Sequence, residues 1–167
     1  QPDFRSGEKV FQMLYQFIGR AGRDNKNSYA IIQTFNPLDQ HIKMACQLNL
    51  ISMYKKILLE REELFYPPFS KLIRIIVKGE NQDNAKKEIY IIADILKQNK
   101  NLTILGPSLA PIEKINNHWR YNILIKTDKE YWLKFYDWFN ANIMKNIFET
   151  KKNRVKINFD VDPISLL

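Results

Sequence analysis

The chain has 167 residues, of which 45% are hydrophobic and 26% charged, with only five glycines; these are values of an ordinary folded protein and exclude a disordered or low-complexity chain. No apolar run approaches the roughly 18–20 residues that a bilayer-spanning helix requires, which excludes such a helix within the sequence, and no signal peptide is visible. A net charge of +8 and a pI of about 9.5 favour phosphate-rich partners: nucleic acid first, acidic protein tails second, an anionic membrane last.

The first residue is Gln1 rather than Met, which reads as a chain cut from something longer. From Glu8 to Gly19, Val10, Phe11, Leu14, Tyr15 and Ile18 recur at helical spacing, and the pattern stops at Gly19. A polar, basic loop to Ser28 follows. Tyr29–Phe35 reads as a strand bounded by Asn36-Pro37. Helices are expected near Gln40–Leu48 and Leu50–Leu64. The first carries the only cysteine, Cys46, expected to be a buried structural thiol. A lone cysteine rules out an internal disulfide or a thiolate zinc cluster within the chain and suits a reducing, cytoplasmic compartment.

Tyr66-Pro67-Pro68-Phe69 forbids helix and reads as a connector. The boundaries are therefore 1–65, a proline-rich join at 66–70, and an α+β unit at 71–167. Within that unit Lys71–Lys78 reads as a strand and Asn84–Lys97 as an amphipathic helix. Asn101–Leu105 is a short strand ended by Gly106-Pro107. Arg120–Lys126 is a strand paired with Leu109–Ile115 through a turn at Asn116-Asn117. Glu130–Ile147 is a second helix with Trp132, Phe135, Tyr136, Phe139 and Ile143 on one face. In Arg154–Val161, Val155, Ile157, Phe159 and Val161 alternate with Arg154, Lys156, Asn158 and Asp160. The order β-α-β-β-α-β is the split-βαβ, ferredoxin-like arrangement.

The run that carries chemistry is Gln16-Phe17-Ile18-Gly19-Arg20-Ala21-Gly22-Arg23. Two arginines three residues apart stand beside glycines where a helix breaks. Glycine lets backbone approach a ligand closely, and guanidinium groups offer planar, permanently charged donors that match phosphate oxygens. In phosphoryl transfer such an arginine stabilises charge developing on the transferred group.

The string resembles motif VI of superfamily 2 helicases, Gln-x-x-Gly-Arg-x-Gly-Arg. The segments Pro2-Asp3-Phe4-Arg5-Ser6-Gly7-Glu8, Ile32-Gln33-Thr34-Phe35-Asn36-Pro37, Glu60-Arg61 with Tyr66-Pro67-Pro68-Phe69, Leu105-Gly106-Pro107 with Ala110-Pro111, and Asp160-Val161-Asp162-Pro163 narrow it. Together they resemble the C-terminal part of the primosomal protein N′ (PriA) family of replication-restart DNA helicases, over the whole chain and in order.

This resemblance implies the end of a RecA-like second helicase lobe followed by a ribosomal S10-like domain. It implies an ATP site completed by Gln16, Gly19, Arg20, Gly22 and Arg23, with Arg20 and Arg23 the catalytic arginines. The implied activity is ATP-dependent 3′→5′ unwinding at stalled forks, in a cytoplasmic, nucleoid-associated protein. ATP with Mg²⁺, and zinc, would be held by parts of the family's proteins that this chain lacks. No Gly-x-x-x-x-Gly-Lys-Ser/Thr loop occurs, so the chain alone is expected to be inactive as an ATPase. The implied partners are branched and single-stranded DNA, single-stranded-DNA-binding protein and other primosome proteins.

Two surfaces suit such partners. His118-Trp119-Arg120-Tyr121-Asn122 interleaves aromatic and basic groups, which makes Trp119, Arg120 and Tyr121 the candidate DNA-binding residues; an aromatic strand edge packing on its own domain fits the stretch equally. Lys126, Lys129 and Lys134 could receive an acidic peptide tail, or form a merely solvated face. Asp160 and Asp162 read as turn or ion-pair residues rather than metal ligands, and no metal site is expected. A stand-alone nucleic-acid or protein-binding module without ATPase coupling is the other reading.

Overall fold

The computed structural model describes residues 3–21, 29–145, 147 and 155–166. They form two compact units, Asp3–Leu64 and Phe65–Leu167.

The first unit is helical: α1 (Ser6–Ala21), α2 (Gln40–Cys46) and α3 (Leu50–Glu63). The apolar stripe of α1 buries Phe11 and Leu14 against Ala45, Met53 and Ile57. Polar side chains start α2 and α3. The Asp39 carboxylate accepts from the backbone N–H groups of His41 and Ile42, and Asn49 Oδ1 accepts from Ser52 N.

Three expectations are corrected here. The helix does not stop at Gly19 but runs on to Ala21; one glycine costs a helix only about 1 kcal/mol. Tyr29–Phe35 forms no strand, although its sequence is strand-like. Among the described residues the unit holds only helices, so its backbone has no ladder to join, and Ile31 is 89% exposed. Cys46 is exposed rather than buried, because the residue of α2 that faces the core is its neighbour Ala45.

In the second unit, β1 (Lys71–Gly79), β2 (Leu102–Ile115), β3 (His118–Thr127) and β4 (Val155–Val161) form one antiparallel sheet in the order β2-β3-β1-β4. That order, with α4 (Gln82–Leu96) between β1 and β2 and α5 (Trp132–Phe139) between β3 and β4, is the split-βαβ arrangement. Its core joins Ile73, Ile75 and Val77 of β1 and Tyr121, Ile123 and Ile125 of β3 to Ile89, Ile92 and Leu96 of α4 and Phe135 and Phe139 of α5. Both helices therefore cover one face of the sheet. The period of two sends Arg74, Ile76 and Lys78, Arg120, Asn122 and Leu124, and Lys156 and Asn158 to the other face.

Two details depart from the sequence reading. β2 is one strand carried through Gly106-Pro107 rather than two pieces, with register shifts at Leu105/Ser108 and Leu109/Lys114. At Gly106 φ is +101°, and an added Cβ would lie 2.9 Å from the Asn122 carbonyl, so the irregularity requires glycine at that point. The second helix is α-helical only to Phe139 and continues as a π-helical segment, Asn140–Met144.

Candidate functional site

The candidate nucleotide-contact motif begins on the last two turns of α1. Gln16, Gly19 and Arg20 are all exposed there, with Gln16 and Arg20 four residues apart on one side of the helix. Arg20 forms no ion pair with another described residue, and a Cβ built at Gly19 meets nothing within 4 Å. Packing against the described residues thus does not demand glycine at 19, and among the described residues the guanidinium has no carboxylate partner. An exposed, permanently charged planar fork can pair with phosphate oxygens, so Arg20 suits the nucleotide that motif VI implies. Gly22 and Arg23 lie outside the described residues.

The opposite end of α1 is heavily tied down. Asp3 is buried; its Oδ1 accepts from the backbone N–H and Nε of Arg5, its Oδ2 accepts from Lys9 Nζ, and its carbonyl accepts from Ser6 N and Oγ. Burial alone would raise the Asp3 carboxyl, but the Arg5 N–H and then the Lys9 and Arg5 side chains outweigh it and hold the group below its ordinary value. Arg61 of α3 pairs with Glu8 and lies 5.2 Å from the Phe4 ring. Gly7 seats the imidazole of His41, whose Nδ1 is 3.3 Å from Asp39 Oδ1. Asp3, Glu8, Arg61 and His41 thus fix the helix that presents Gln16 and Arg20. Sequence reasoning did not assign these roles, although the signal was present in the paired segments Asp3–Glu8 and Glu60-Arg61.

The second unit does not bring its predicted residues together as expected. Trp119 and Tyr121 point to the helix-covered side and Arg120 to the other. Tyr121 is 6% exposed, packs in the core, and its hydroxyl accepts from Gln82 Nε2 at 3.3 Å, so it offers no stacking face. Trp119 is half-buried with Lys114 Nζ 5.2 Å from its ring. Arg120 is 7% exposed and donates through Nη1 to the Ile112 carbonyl.

The three lysines are likewise separated. Lys126 is 6% exposed, lies on the helix-free face with Nζ 3.5 Å from the centre of the Tyr66 ring, and has its pKa lowered by burial. Lys134 sits exposed on α5, which covers the opposite face, and Lys129 is exposed in the loop before it. Asp162 ends β4 by accepting from Lys71 Nζ at 2.6 Å and from Leu72 N. Among the described residues no group of three or more His, Cys, Asp or Glu is placed to hold a metal ion, and no helix is long and apolar enough to cross a membrane.

Clefts on the helix-free face are lined by described residues. One, of about 380 Å³, is lined by Tyr66, Arg74, Leu105, Leu109, Asn122 and Leu166. Another, of about 300 Å³, is lined by Lys78, Ile115, Asn116, His118, Arg120 and Lys156. Burial, and then the neighbouring charge of Arg120, pull the Arg74 guanidinium below its ordinary pKa, with Asp160 opposing them.

The profile of the primosomal protein N C-terminal domain matches residues 62–164. This chain belongs to the primosomal protein N (PriA) family. It is 37% identical over 174 aligned positions to the replication restart protein PriA of Borreliella burgdorferi, covering 99% of this chain and 25% of that protein. It is 34% identical to the PriA of Bacillus subtilis, covering 99% of this chain and 21% of that protein. With the PriA of Thermotoga maritima it shares 33% identity across 76% of this chain and 17% of that protein. The chain thus spans about a quarter or less of the length of these PriA relatives, and in the first two the likeness extends through the α1 motif as well as the sheet domain.

Proposed function

We propose that the chain is the C-terminal part of a replication-restart DNA helicase of the PriA type. It would supply arginines to an ATP site and a domain that binds branched and single-stranded DNA together with single-stranded-DNA-binding protein. The observation that carries this reading is the exposed Gln16–Gly19–Arg20 end of α1, with no ion pair to Arg20 among the described residues, in a chain of this family.

In this reading the first unit is the end of the second RecA-like lobe. Arg20 and Arg23 orient and neutralise phosphate oxygens of a nucleotide gripped by other parts of the protein, and Gln16 steadies the turn that carries them. ATP with Mg²⁺ supplies the free energy for unwinding. Zinc belongs to the region outside this chain. The second unit, basic and with one sheet face left open by its own described helices, holds nucleic acid.

The isolated chain is expected to show no ATP hydrolysis. It is expected to bind forked or single-stranded DNA weakly, with an affinity that falls steeply as salt rises. Fluorescence anisotropy across a salt series checks this. Absence of binding at low salt, or binding indifferent to salt, contradicts the assignment of the second unit. ATP turnover by the isolated chain contradicts the division of labour.

A further inference from the structure

The cleft of about 300 Å³ on the helix-free face has a wall of one charge. Lys78 of β1 stands directly opposite Arg120 of β3 on one side and Lys156 of β4 on the other. Like charges placed directly opposite in a sheet destabilise it. Three in a row across adjacent strands, covering about 10 Å at roughly 4.8 Å per strand, form an arrangement that folding alone does not favour. Lys78, Arg120 and Lys156 form no ion pair with a described carboxylate. Asp160, an acid of this face, lies opposite Arg74 instead. Glu80 reaches only the rim, 3.9 Å from His118 Nε2. Nε of the nearly buried Arg120 has no hydrogen-bond partner among the described residues.

We propose that this row is a phosphate track: Lys78, Arg120 and Lys156 take consecutive backbone phosphates of a nucleic-acid strand laid across β4, β1 and β3. The inference rests on the nucleic-acid reading of the second unit and assigns it an address, with Lys78 and Lys156 as contacts that no motif signals. The ligand is a nucleic acid rather than an acidic peptide because the lining is almost wholly polar. Ile115 alone is apolar, so there is no pocket for the apolar side chains that anchor a peptide. Phosphodiesters need only the cations, which also relieve one another's repulsion once neutralised.

The test uses this chain and a fluorescein-labelled oligothymidylate. Lys78→Gln with Lys156→Gln removes two cations without adding a carboxylate. Lys86→Gln with Lys87→Gln, at two exposed positions of α4, removes the same charge from elsewhere. The first pair is expected to weaken binding at least tenfold at low salt and to flatten the slope of log K against log salt by about 1.4, two contacts at about 0.7 each. The second pair should change the slope little. Near-equal effects of the two pairs would mean that only net charge matters and would overturn the track while leaving DNA binding intact. No binding by the unaltered chain would overturn the nucleic-acid reading itself. Binding of an Asp/Glu-rich peptide, lost in the first pair, with no oligothymidylate binding, would transfer the site to a protein partner and refute the proposal. Thermal melts of both pairs report folding independently: the first pair should melt no lower than the unaltered chain in low salt, since it removes cross-strand repulsion, and a lower melting point would contradict the repulsive row.

Discussion

Replacing Gly7 by alanine probes the seat that fixes α1. A Cβ at that position would lie 2.5 Å from His41 Nε2 and 2.7 Å from both Cδ2 and Cε1, well inside the roughly 3.5–4 Å of an ordinary contact. Alanine gains up to about 1 kcal/mol over glycine in a helix. The imidazole would have to retreat by about 1 Å, stretching its 3.3 Å contact with Asp39 Oδ1. Overpacking of this kind costs about 1–3 kcal/mol, and a weakened hydrogen bond about 0.5–1 kcal/mol more. The clash wins, and Gly7→Ala should destabilise the first unit by about 1–2 kcal/mol. With His41→Ala already in place the obstacle is gone, and the same change should stabilise by about 0.5–1 kcal/mol. The coupling between the two positions is therefore about 2 kcal/mol or more. Hydrogen exchange resolved to the α1 and α2 amides measures it at these helices. An effect of Gly7→Ala that is the same in both backgrounds within about 0.4 kcal/mol would refute the packing described for α1 and α2.

Asp3→Asn should lower the exchange protection of α1 near neutral pH by about 1 kcal/mol. Because the folded Asp3 carboxyl lies below its ordinary value of 3.8, its contribution is complete above that value and is lost as pH falls through the folded one; the gap to the unaltered chain should close in acid, and a gap constant with pH would contradict the charge-assisted contacts. Tyr121→Phe should leave oligonucleotide binding unchanged, and Tyr121→Ala should destabilise the second unit by about 3 kcal/mol, read by urea melts of tryptophan fluorescence. Trp119, Trp132 and Trp138 all lie in that unit. A selective loss of binding in Tyr121→Phe, with stability intact, would restore the hydroxyl to the surface.

Elements with their own periodicity were legible in the sequence. The alternation of Val155–Val161 gives β4, and the spacing of Ala85, Ile89, Ile92 and Leu96 gives α4, because one face of each is buried. The strand reading of Tyr29–Phe35 failed because strand chemistry without a neighbouring strand makes no ladder. Gly106-Pro107 looked like a strand end, yet β2 carries the pair as an irregularity facing Asn122. The stretch Trp119-Arg120-Tyr121 looked like one surface. A period of two divides it between core and open face, and composition cannot show which face is which until the sheet order is known. For the same reason the sequence does not show that Lys78 and Lys156, 78 residues apart, stand side by side, while the Gln16–Arg23 string is contiguous in the chain.

The assignment of the α1 motif stands or falls on Arg20. In the full-length protein, Arg20→Ala should abolish DNA-stimulated ATP hydrolysis, with a loss of at least about a thousandfold in turnover, and leave DNA affinity within about twofold. Turnover unchanged in that variant, with the protein folded, would show that this guanidinium never meets a nucleotide.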